Sequence, residues 1–167
     1  WQTVFNTALT TNDTSGTGLT LRIPFQLDSL TTPTGTPSKI RITIEGSSAT
    51  GCTFDHWYVG NRASAGDTYD FSASPTAITW DGGSASKTIS ASTSYLSDEI
   101  NFSWDTSKGL MFSCYISTGS GGGRRVDPTG SVATYYKSAN EPTTVDATGY
   151  TLHSTTTWWI RKIEVFA

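Results

Sequence analysis

At 167 residues the chain is long enough for one domain that buries its own core. Charged side chains make up only 15 % and the formal net charge is −3, which offers no field to recruit nucleic acid or an anionic membrane. No apolar run reaches the length of a membrane span, so membrane insertion is not expected, and no basic-then-apolar signal segment opens the chain.

Ser and Thr supply roughly three residues in ten, well above ordinary usage, and with abundant Gly and Pro they favour short strands and polar turns over helices. The chain opens on Trp1 rather than Met, which fits either a removed leader or a piece of a longer polypeptide. Composition does not shift along the chain, so a single domain over 1–167 is expected.

The polar, glycine-bearing stretch from Thr10 to Gly18 reads as a long connection. Leu19, Leu21, Ile23 and Phe25 then alternate with other residues as in a strand, and Pro24, which cannot donate to a ladder, predicts an edge position or a bulge. Ile40, Ile42 and Ile44 alternate with Lys39, Arg41, Thr43 and Glu45, the pattern of a strand with one face on a core and one in water. Further strands are expected over Thr53–Val59, Ala77–Trp80, Lys87–Ala91, Ile100–Trp104, Leu110–Ser117, Ala133–Lys137 and Trp158–Phe166. Hairpins are expected at Asp81-Gly82-Gly83 and at Asp105–Gly109, and a second long, flexible connection at Thr118–Gly130. No stretch carries a helical period, so any helix should be a single turn. The fold class is all-β: an antiparallel two-sheet β-sandwich, jelly-roll-like.

Cys52 and Cys114 sit in strand-like contexts, where a disulfide between strands and two buried thiols are both compatible with the sequence. Asp67 and Asp70 in Gly66-Asp67-Thr68-Tyr69-Asp70 read as turn formers or as part of an oxygen-ligand calcium site. No G-x-S-x-G elbow occurs, and with only His56 and His153 available a triad or metallohydrolase has little to work with. His56 reads as a structural, hydrogen-bonded histidine. Six Trp and seven Tyr exceed what one core of this size needs, so some rings should face solvent, where flat aromatic surface suits sugar rings. Trp104 belongs to the core, and of Trp158 and Trp159 one should face inward because strand neighbours point oppositely.

The segments Lys39-Ile40-Arg41-Ile42-Thr43-Ile44-Glu45-Gly46, Phe54-Asp55-His56-Trp57-Tyr58-Val59-Gly60 and Ala65-Gly66-Asp67-Thr68-Tyr69-Asp70-Phe71, with Ala77-Ile78-Thr79-Trp80, Ser97-Asp98-Glu99-Ile100 and Gly109–Ser117, carry a resemblance. They resemble β-sandwich modules associated with SGNH/GDSL-type hydrolases and with bacteriophage tail or adsorption proteins. The resemblance implies a non-catalytic attachment module, extracellular or virion-associated, and lends no catalytic residue. Its partner would be a glycan or cell-surface receptor, with Trp57, Trp80, Arg62, Arg124, Arg125, Tyr135 and Tyr136 as the expected contacts. Two other classes remain open: a virion structural, decoration or assembly subunit that spends its aromatic surface on other subunits, and a small jelly-roll glycosidase or lyase using Asp55, His56 and Arg62.

Overall fold

A computed structural model describes residues 1–14, 17–117, 122–126 and 132–167. In chain order the first strands are β1 (Gln2–Asn6), β2 (Thr11–Thr14), β3 (Leu19–Phe25), β4 (Lys39–Glu45), β5 (Cys52–Phe54) and β6 (His56–Asn61). They are followed by β7 (Thr76–Ile78), β8 (Lys87–Ile89), β9 (Ser94–Leu96), β10 (Ile100–Asn101) and β11 (Leu110–Ile116). The last are β12 (Gly122–Val126), β13 (Thr134–Lys137), β14 (Thr151–Ser154), β15 (Thr157–Trp158) and β16 (Ile160–Phe166). The one helical element among the described residues is a single 3-10 turn, Leu27–Ser29. None of these elements is a helix long and apolar enough to cross a membrane.

The architecture is an all-β antiparallel sandwich. One sheet runs β1-β16-β4-β10, with β9 sharing the same edge of β4 as β10; the other, six-stranded, runs β14-β13-β3-β11-β6-β7. Alternation builds the core between them: Ile40, Ile42 and Ile44 from β4 and Ile163 and Val165 from β16 meet Leu21, Ile23, Phe25, Trp57, Val59, Phe112 and Cys114 from the facing sheet.

Several expectations are corrected. Pro24 does not place β3 at an edge, because β3 lies between β13 and β11. The proline is tolerated where the β13 ladder ends at Arg22 and returns only as the single bridge Phe25–Val132. The Asp81-Gly82-Gly83 turn closes on itself through two backbone bonds between Trp80 and Ser84, at 2.9 and 2.7 Å, yet the flanking strands pair elsewhere, β7 with β6 and β8 with β5. Asp105–Gly109 turns the chain from the five-stranded sheet into the six-stranded one, so it is not a hairpin either. Both supposed long connections contribute strands, since β2 and β12 pair with each other and β12 with β15. Trp158 and Trp159 are both buried, because Trp159 takes φ +58° between β15 and β16 and cancels the alternation a continuous strand would impose. Cys52 and Cys114 are buried free thiols.

Candidate functional site

The six-stranded sheet is dry on both faces over Thr20–Phe25 of β3 and Leu110–Cys114 of β11. On the face away from the sandwich core, residues 63–72 and 138–150 fold over it around a second apolar cluster of Tyr69, Phe71, Met111, Ala147 and Tyr150. Arg22 is the rivet, wholly buried, with Nη1 donating to Tyr69 O (3.2 Å) and Nη2 to Glu141 O (3.3 Å) and Thr144 O (2.6 Å). Its guanidinium lies 4.5 Å from the Phe71 ring centroid and 5.5 Å from that of Tyr150. Burial lowers its pKa, and it pushes the Tyr150 hydroxyl up to about 12.

The same cover accounts for Asp67 and Asp70. Asp70 accepts from Asp67 N (2.8 Å) and Ala147 N (3.0 Å), so both its oxygens are spent on backbone. The pair builds a turn and ties the two covering segments together. No group of three or more His, Cys, Asp or Glu gathers as a metal site among the described residues.

The expected ligand contacts scatter. Trp57 and Trp80 are 1 % and 0 % exposed, so neither ring presents a face to solvent; both pack in the sandwich core. Tyr136 also leans on that core, edge-on to His153 at 5.9 Å. The side chains of Arg124 and Arg125 lie outside the described residues. Arg62 and Tyr135 are brought together through Thr68: Arg62 Nε donates to Thr68 O (3.0 Å), and Thr68 Oγ1 to the Tyr135 hydroxyl (2.9 Å).

The uncovered part of the outer face carries rings that were not among the expected contacts. Trp57, Val59, Phe112 and Cys114 point inward, so His56, Tyr58, Ser113 and Tyr115 point outward. Tyr115 stands opposite His56 and Ser113 opposite Tyr58 across β11 and β6, and exposed Ala77 of edge strand β7 lies beyond Tyr58. Opposed side chains on a sheet sit about 5 Å apart, and the His56 and Tyr58 rings lie 6.3 Å apart. All three residues are half-buried. Neither phenol hydroxyl has a hydrogen-bond partner among the described residues.

A separate cleft of about 230 Å³ opens beyond the far end of β6, lined by Gln26, Leu27, Arg62, Ala63, Ser64, Ser107, Lys108 and Gly109. Asp55 and His56 lie at the opposite end of that strand, six residues or about 20 Å from Arg62, so the set an enzyme would need is not assembled. Asp55 instead accepts from Ser117 N at 2.7 Å. Asp98 caps the 81–83 turn, accepting from Gly82 N, Gly83 N and Thr79 Oγ1 at 2.9, 2.8 and 2.7 Å, and these bonds hold its carboxyl below the usual range. Glu99 pairs with Lys39 at 3.1 Å.

No protein-family model matches the chain, and no curated protein matches it.

Proposed function

We propose that the chain is a non-catalytic carbohydrate- or receptor-binding module, extracellular or virion-associated, of the kind that attaches a phage tail or adsorption apparatus to a cell-surface glycan. The observation that supports this reading is the open strip of His56, Tyr58 and Tyr115 on the six-stranded sheet. Sheet backbone fixes the three rings in register, so little ordering entropy is lost when a flat apolar sugar face settles on them. Their hydroxyls, unbonded among the described residues, and the imidazole edge supply hydrogen bonds to the sugar's own hydroxyls. The cover formed by 63–72 and 138–150 borders the strip through Phe71, which lies against Gly60 of the same strand.

The test is a glycan-array screen of the purified chain, with and without calcium, with light scattering on the same sample. Saturable binding to one glycan class that is lost in Tyr58→Ala and Tyr115→Ala, with both variants still folded, is the expected result. No glycan binding together with a defined oligomer would overturn the proposal and move the weight to a structural or assembly subunit.

A further inference from the structure

The cleft at Arg62 and Lys108 has a chemistry of its own. It gathers two cations in a chain whose net charge is −3. Arg62 is oriented by its Nε bond to Thr68 O, while its two Nη groups take no hydrogen bond among the described residues. That leaves a planar two-pronged donor on a residue that lines the cleft. Lys108 Nζ stands a long 3.4 Å from Asp105, whose other oxygen is already engaged by Ser107 N and Oγ at 3.1 and 2.6 Å. The Gln26 amide and the Ser64 hydroxyl are likewise unbonded, and Leu27, 44 % exposed, forms an apolar wall.

The frame that holds these groups is stiff. Arg62 N donates to Gly109 O (2.9 Å), and Trp104 Nε1 to Lys108 O (2.8 Å). The Asn61 side chain accepts from Asp105 N (2.9 Å) and donates to Ser103 O (3.3 Å). A Cβ at Gly109 would fall 2.1 Å from Phe25 O, so the turn is pressed directly against the end of β3. The backbone that carries the two cations is thus held in place, which lowers the entropic cost of holding an anion between them.

We propose that this cleft binds a carboxylate-bearing sugar ring, a uronic acid. The Arg62 fork takes the carboxylate, Lys108 adds charge, Gln26 and Ser64 meet the ring hydroxyls, and Leu27 receives the ring's apolar face. The site is separate from the ring strip, from which Phe71 against Gly60 divides it.

The experiment is an amide NMR titration of the purified chain with glucuronate, glucose, acetate and inorganic phosphate as four separate probes. Glucuronate should give saturable shifts at Ala63, Ser64, Ser107 and Gly109, with glucose, acetate and phosphate each at least about tenfold weaker. Arg62→Met and Lys108→Met, checked for native spectral dispersion, should each weaken glucuronate about tenfold, and Tyr58→Ala should leave it unchanged. Equal binding of any other probe, shifts that survive both Met variants, or no shift with glucuronate would overturn the inference. A glycan captured on the array through Tyr58 with no glucuronate response would do so while leaving the proposed function standing.

Discussion

The ring of Phe71 occupies the space that a side chain at Gly60 would need: a Cβ built there falls 2.6 Å from Phe71 Cδ1. Gly60→Ala must therefore push the ring off the Arg22 guanidinium it faces at 4.5 Å. Such overpacking costs about 1–3 kcal/mol, read as a lower urea midpoint at unchanged slope. A midpoint equal to wild type would show that the cover yields freely.

Arg22→Leu leaves the carbonyls of Tyr69, Glu141 and Thr144 without their donor. Buried acceptors stripped of a charged partner cost about 3 kcal/mol or more in total. Arg22→Lys, which keeps the charge without the fork, should recover only part of this. Ser113 stands opposite Arg22, and its buried hydroxyl has no partner, so Ser113→Ala should be neutral or slightly stabilising. Paired urea melts of the three variants check the order.

Acid should act through Asp98 and Glu164. At Asp98, the bonds from Gly82 N and Thr79 hold the carboxyl low; at Glu164, burial opposes ionisation, but Lys162 and Arg41 outweigh it. A carboxyl lowered by folding stabilises the native state above its unfolded pKa, about 4, and loses that contribution as pH falls through the lower folded value. Melting temperature should therefore drop below about pH 4, and the drop should be shallower in Asp98→Asn.

Thiols set the alkaline side. Burial pushes Cys52 up to about 12 and raises Cys114 well above its ordinary value, with Cys52 adding to the shift. Stability from a raised thiol is whole below its unfolded pKa, about 8.5, and fades as pH climbs toward the folded value. Native protein at pH 8 should resist a thiol reagent that labels both cysteines in denaturant. Rapid labelling without denaturant would contradict their burial.

Apolar alternation made β3, β4 and β11 legible, because their inward residues are Leu, Ile, Phe and Cys at period two. β2, β12 and β14 carry Thr-Asn-Asp-Thr, Gly-Gly-Arg-Arg-Val and Thr-Leu-His-Ser, whose strand state comes from neighbours rather than from their own pattern. Ring size singles out Trp57 and Trp80 as contacts, but both are buried in the core. Trp57 shares its parity with Val59 and so turns inward, and the same parity sends His56 and Tyr58 outward. Arg62 stands among the contacts expected from the sequence, but its cleft was not legible there, because Gln26 and Lys108 reach it from distant parts of the chain.

Covering one sheet on both sides divides the molecule's cohesion into two layers that need not fail together. The cluster around Tyr69 and Tyr150 is small and tied down by few groups, whereas the sandwich core holds most of the buried rings. Amides in 63–72 and 138–150 should thus exchange with solvent through a partial opening, well before the sandwich itself comes apart. Each such opening would bare the β3 and β11 face and free Thr68, the anchor that aims Arg62, so the cleft's grip on an anion would loosen while the fold stays intact.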